Sequence, residues 1–196
     1  MRLAAAALIA GLAMLLVACG HKAPPWHLHE VSGVLPDLEF TLTDTAGHPA
    51  RGSDMHGRIT VLYLGYAHCP DACPLMLARL AGVRKALGAQ ADQLHVLFVT
   101  VDPARDTPQV LADYCAAFGP GVTGLRGTPD QLRALAHRYR VTWSLGKPDA
   151  TGAYEVSHST AAFVFDRQGR ARLLATPDAT AADLTADIRR LVTQAG

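Results

Sequence analysis

The chain has 196 residues, 49% of them hydrophobic and 18% charged, with 18 Lys and Arg against 17 Asp and Glu. No basic stripe or long run of like charge occurs, which argues against nucleic acid and anionic lipid surfaces as principal partners. The length suits one domain that can bury a core without disulfide staples.

In chain order, a targeting segment comes first. Arg2 supplies a short positive region, and Ala4 to Val17 is almost wholly apolar. That run is shorter than the roughly 20 residues a transmembrane helix needs and fits the core of a secretory signal peptide. It closes on Leu16-Val17-Ala18-Cys19-Gly20, which resembles a bacterial lipobox. Residues 1–18 are therefore expected to be removed and Cys19 lipidated, anchoring the chain to a membrane on its periplasmic side. A plain signal peptide with an incidental Cys19 is the blander alternative. Residues 19–30 carry Lys22, two prolines and His21, His27 and His29 without apolar periodicity, and read as a tether. Those histidines read as solvated linker residues, with a weak accessory metal patch as the sharper option. The folded domain is expected over 31–196.

Leu38 to Thr43 reads as a strand ending in a turn at Asp44-Thr45-Ala46-Gly47. Ile59 to Tyr66 is a strong strand of β-branched and aromatic residues, and it runs into Cys69-Pro70-Asp71-Ala72-Cys73-Pro74. A helix is expected from about Pro74 to Leu87, with Met76, Leu80, Val83 and Leu87 in one apolar stripe. Leu94 to Val101 is a second near-continuous apolar strand, as expected when both faces are covered. Thr107-Pro108 reads as an N-cap followed by Pro at the first helical position, opening a helix with Leu111, Tyr114, Cys115 and Phe118 on one face. Thr128 to Gln131 is a capping box for a helix turning Leu132, Leu135, Ala136 and Tyr139 inward. Ala161 to Asp166 and Ala171 to Thr176 read as strands joined by a turn at Arg167-Gln168-Gly169. Leu184, Ile188, Leu191 and Val192 mark the last helix. Strands alternating with helices indicate a layered α/β domain. With Cys69 and Cys73 where a strand gives way to a helix, a thioredoxin-like fold with a mixed central sheet flanked by helices is expected, although the pattern alone is compatible with other α/β folds.

Of the four cysteines, lipid would consume Cys19, leaving Cys69, Cys73 and Cys115. An odd number in an exported chain means that at least one is buried, reactive or metal-bound. Cys115 sits on an apolar helix face and reads as a core residue, and Trp143 and Tyr154 read as packing residues. A helix N-terminus offers free N–H groups and partial positive charge, which favour thiolate over thiol. A spacing of four lets the sulfurs of Cys69 and Cys73 face one point. A disulfide across so small a loop would constrain the unfolded chain little. Two thiolates need a further ligand, and His158, directly before the Ala161 strand, is the best candidate, although from position alone it would pass for a surface histidine. His68 adjoins Cys69 and is expected to turn away from it. Two sulfurs and one imidazole suit copper, Cu(I) above all, with zinc second.

Three segments carry a resemblance: YLGYAHCPDACP from Tyr63 to Pro74, VDPARDTP from Val101 to Pro108, and VSHSTAAFVFD from Val156 to Asp166. Together, and in this order, they resemble the Sco/SenC family of copper-binding cytochrome c oxidase assembly proteins, from about Val31 onward. The resemblance implies a thioredoxin-like fold, about one copper ion as Cu(I) or Cu(II) on Cys69, Cys73 and His158, and delivery of copper or reducing thiols to the copper-bearing subunit of the oxidase, with another copper chaperone as a further partner. Its acidic pair maps onto Asp102 and Asp106. With Arg105 these would support the site from behind or contact a partner, although a loop network explains Asp102 and Arg105 almost as well. Ala72 stands where a larger aliphatic is common.

A thiol–disulfide oxidoreductase using Cys69 and Cys73 to keep oxidase cysteines reduced is the main rival, since thiolates that bind Cu(I) also exchange disulfides. The CxxxC spacing, and Ser159 and Thr160 in place of the proline usual before that strand in such enzymes, weigh against it. A peroxiredoxin-like peroxidase would be expected to carry Thr where Tyr66 stands. A copper sensor or buffer with the same ligands remains a third alternative.

Overall fold

The computed structural model describes residues 24–194. The leader, Cys19, His21 and Lys22 lie outside the described residues. The strands are β1 (His29–Glu30), β2 (Thr41–Asp44), β3 (Pro49–Arg51), β4 (Ile59–Gly65), β5 (Leu94–Thr100), β6 (Val122–Arg126), β7 (Trp143–Leu145), β8 (Val156–His158), β9 (Ala162–Phe165) and β10 (Ala171–Ala175). The helices are α1 (Ala72–Leu87), α2 (Pro108–Ala116), α3 (Pro129–Tyr139) and α4 (Ala181–Thr193).

Eight strands form one mixed sheet in the order β1-β10-β9-β4-β5-β6-β2-β3. β4, β5 and β6 run parallel, and β9 lies antiparallel to β4 on its other side. Every residue of β4 is buried, which accounts for a sequence that is apolar but for Thr60 and the Tyr63 hydroxyl: helices cover both faces. Register places Tyr63 beside Phe98 and Leu62 beside Phe163, so these two rows point to opposite faces. Tyr114 of α2 packs its ring on Phe98, while Tyr139 of α3 packs on Phe163 and Phe165 across the sheet. α1 and α4 pack against each other. The expected thioredoxin-like α/β architecture, a mixed sheet flanked by helices, is present.

The caps follow the sequence signals. The Thr107 side chain accepts from the Val110 N–H with Pro108 at the first position, and Thr128 and Gln131 form a reciprocal capping box. α1 begins at Ala72 rather than Pro74 and so carries Cys73 in its first turn.

Other elements differ from the sequence expectation. The first expected strand shifts to Thr41–Asp44, because upstream backbone is engaged elsewhere: the Leu38 N–H bonds the Gly169 carbonyl and the Glu39 N–H bonds the Tyr139 hydroxyl. β6 carries no clear strand signal in the sequence, because Gly124 interrupts its apolar pattern. That glycine is required, since a Cβ there would lie 2.7 Å from Leu111 Cγ. The stretch between α3 and β9 holds a separate antiparallel hairpin, β7 and β8. The end of the expected tether is packed on the domain: Leu28 is buried, β1 pairs with β10, and the N–H groups of His27 and Leu28 both donate to Asp187.

Candidate metal centre

Cys69 and Cys73 are placed by the turn between β4 and α1. The Cys69 N–H bonds the Tyr66 carbonyl, and the Cys73 N–H points at Cys69 Sγ from 3.4 Å. Cys69 is half-buried and Cys73 fully buried, and neither is in a disulfide. Gly65 makes room for this arrangement. A Cβ on it would lie 2.6 Å from Cys73 Sγ and 2.7 Å from a Phe98 ring carbon. A glycine inside an otherwise β-branched strand marks close approach of another group, and that signal could have identified Gly65 from sequence.

His158 is the last residue of β8 rather than part of a free loop. Trp143 sits opposite it in the hairpin register. Its Nε2 lies 3.4 Å from Cys73 Sγ, and its Nδ1 lies 2.9 Å from the Ser159 carbonyl. A carbonyl can only accept, so Nδ1 carries the proton and Nε2 turns its lone pair to the sulfur. Burial lowers the imidazole's proton affinity, with the Ser159 hydrogen bond opposing it, and the neutral form is the one that ligates. The rings of Tyr66 and Tyr63 stand edge-on to the imidazole at centroid distances of 5.6 and 6.4 Å.

One donor atom each from Cys69, Cys73 and His158 lie within 4.8 Å of one another. Metal–sulfur and metal–nitrogen bonds of about 2.0–2.3 Å put neighbouring donors roughly 4 Å apart, so this set fits a single soft ion without rearrangement of the fold. Two thiol sulfurs and an imidazole select copper over hard cations. The expectation of a lowered thiol pKa at the helix N-terminus does not hold for Cys73. Burial pushes its thiol up to about 12, because loss of water around a thiolate outweighs the favourable Tyr66 N–H. Metal binding at this sulfur must displace its proton.

Asp102 and Asp106 are fully buried and hold loops in place. Asp106 accepts from the Ala67 N–H at 2.9 Å and from the Thr100 hydroxyl. It also faces His68 Nδ1 at 3.2 Å, which turns His68 aside from Cys69. Asp102 is bonded by Arg105 Nε and by the Tyr154 hydroxyl at 2.8 Å. Arg105 also donates to the Tyr154 carbonyl and stacks on the Tyr154 ring at 3.8 Å. Tyr154, read from sequence as mere packing, thus joins the loop after β5 to the hairpin that carries His158. Cys115 is buried, as expected, and burial raises its thiol to about 12. His27 faces Asp187 at 2.9 Å, far along the chain from the three donors.

Residues 35–193 match the SCO1/SenC family model. Among curated proteins, mitochondrial SCO2 of Saccharomyces cerevisiae is 38% identical over 138 residues, covering 67% of this chain and 44% of that protein. The chain spans about half the length of the curated relatives it matches. Among solved structures, copper-bound ScoI of Bradyrhizobium japonicum superposes with a TM-score of 0.71 at 33% identity, over 79% of this chain and 98% of that one. Copper-bound yeast Sco1 gives a TM-score of 0.74 at 30% identity, over 82% and 91%.

Proposed function

The chain belongs to the SCO1/SenC family, and from that premise we propose that it binds about one copper ion through Cys69, Cys73 and His158, delivers it to the copper-bearing subunit of cytochrome c oxidase and so assists assembly of that enzyme. The observation that carries this reading is the convergence of the three donor atoms within 4.8 Å. Copper-bound relatives at 33% and 30% identity support the choice of metal. Another copper chaperone would serve as donor. Asp102, Asp106, Arg105 and Tyr154 hold the cysteine-bearing turn and the His158 hairpin against the loop after β5.

The chemistry of the handover follows from the burial of the site. Cys69 is the accessible sulfur and Cys73 the buried one. An incoming acceptor thiolate meets Cys69 first, and exchange proceeds from that side. The high proton affinity of Cys73 helps discharge the ion, since reprotonation of the sulfur competes with the metal.

Anchorage by lipid at Cys19 on the periplasmic side of a membrane is the reading the leader supports. Among the described residues no helix is long and apolar enough to cross a membrane.

Titration of the reduced chain with Cu(I) against a competing chelator tests the ligand set. One equivalent is expected to bind, and His158→Ala is expected to lose at least tenfold in affinity. Wild-type affinity in that variant removes the imidazole from the site. Reduction of insulin disulfides by the apo chain is expected to be slow, because the spacing is CxxxC rather than the redox CxxC and the second sulfur, Cys73, is buried away from a mixed disulfide at Cys69. Fast turnover would favour the thiol–disulfide oxidoreductase instead.

A further inference from the structure

Tyr63 lies on β4 two residues before Gly65 and is completely buried. Its ring packs beside Phe98 at a centroid distance of 6.0 Å and beside His158 at 6.4 Å. Among the described residues its hydroxyl meets one hydrogen-bond partner, Cys73 Sγ at 3.8 Å. A hydroxyl in an apolar interior is costly unless bonded, and phenylalanine would fill the same space without that cost. The hydroxyl therefore has its use at the sulfur.

A neutral thiol is a weak acceptor. A thiolate is a strong one, and hydrogen bonds to charged acceptors are shorter and about twice as strong. The Tyr63 bond is thus weak in the metal-free thiol and tightens once copper has displaced the proton. Donation by O–H withdraws electron density from the sulfur. Hydrogen bonding around a ligating cysteine is one of the means by which proteins tune copper. Cu(II) depends on thiolate donation more than Cu(I) does, so a donor at this sulfur favours the reduced ion.

We infer that Tyr63 is a positioning residue for the Cys73 sulfur and sets the preference of the site for Cu(I) over Cu(II). The inference rests on the reading of Cys73 as a copper ligand. It adds a second role to the strand: Gly65 gives the sulfur its space and Tyr63, on the same face of the same strand, its hydrogen bond.

The test compares the full-length chain with Tyr63→Phe, each loaded with one equivalent of copper. Both are expected to bind one ion. In the variant the sulfur-to-Cu(II) charge-transfer band should move to lower energy. The ratio of Cu(I) to Cu(II) affinity should fall about tenfold, which for a one-electron couple is about 59 mV in reduction potential. A folded Tyr63→Phe protein with the wild-type band and ratio overturns the inference. Site-specific 3-fluorotyrosine at position 63 keeps the ring and strengthens the donor. It should move the band to higher energy, and an unmoved band there also overturns the inference, whether or not the phenylalanine variant folds. A wild-type chain with no charge-transfer band, or a band whose energy and intensity Cys73→Ala leaves unchanged although Cys69 remains, defeats the assignment of Cys73 as a ligand and the role of Tyr63 with it.

Discussion

At the scale of single residues, the candidate metal centre depends on an absence of atoms as much as on its donor groups. Cys73 Sγ occupies the space that a Cβ on Gly65 would take, at 2.6 Å. The neighbouring Phe98 ring is fully buried and has nowhere to retreat. Gly65→Ala is therefore expected to cost about 1–3 kcal/mol of stability, the usual penalty for overpacking a core, and to push the sulfur off its line to His158. Thermal unfolding and a Cu(I) titration would read the two effects separately. Wild-type behaviour in both would mean that the strand yields more easily than its packing implies. The same scale explains why the helix-terminus argument fails for Cys73. The N–H groups of a first turn do favour a thiolate, but a fully buried sulfur loses its water, and that loss is larger.

At the scale of elements, the β7–β8 hairpin carries one candidate donor, the first turn of α1 carries Cys73 and the turn before it carries Cys69, so convergence of the three needs the hairpin held against the sheet. The tie is the Tyr154 hydroxyl on Asp102 at 2.8 Å, backed by Arg105. Tyr154→Phe removes one such bond and is expected to weaken copper binding about fivefold, equivalent to about 1 kcal/mol, while amide exchange in residues 143–158 quickens. Unchanged exchange there would show that the tie is redundant. β5 offers a separate pH test. Burial, with the charges of Arg58 and Arg84, lowers His95 from an ordinary 6.5 to about 4. Its ring nitrogens face Arg58 at 3.3 Å and the Thr123 hydroxyl of β6 at 3.0 Å. Because the folded pKa is depressed, the unfolded chain takes up the proton first as pH falls. Stability at this residue is complete above about 6.5, declines between 6.5 and 4, and changes no further below. Denaturant unfolding of His95→Gln should show a shallower decline across that window than wild type. Parallel curves would discount His95 as a source of acid sensitivity.

At the scale of the whole molecule, the first described residues are fastened to the last helix. Asp187 is 2% exposed and accepts the N–H groups of His27 and Leu28, while Arg190 stacks on Trp26 at 3.7 Å. Asp187→Ala would leave those two N–H groups without their acceptor, at a cost of about 1–3 kcal/mol. It should expose residues 24–30 to limited proteolysis yet leave copper affinity as it was. A matching loss of affinity would tie the docking of this segment to the metal site. Elements with strong local signatures are legible from neighbouring residues: the largely apolar β4 and β5, the caps of α2 and α3, and the cysteine pair at a strand-to-helix turn. Each of these is a property of neighbouring residues, and periodicity or capping chemistry reports it directly. The motif order also pointed to His158, but its distance from the sulfurs was not legible. Cys73 and His158 are 85 positions apart in the chain, and only the pairing of Tyr63 with Ala162 across β4 and β9 brings the two ends together. The hairpin, the tie through Tyr154 and the Tyr63 contact likewise arise from sheet register and burial. Those depend on which distant segments exclude water from one another, a matter settled by the folded chain and not by any local pattern.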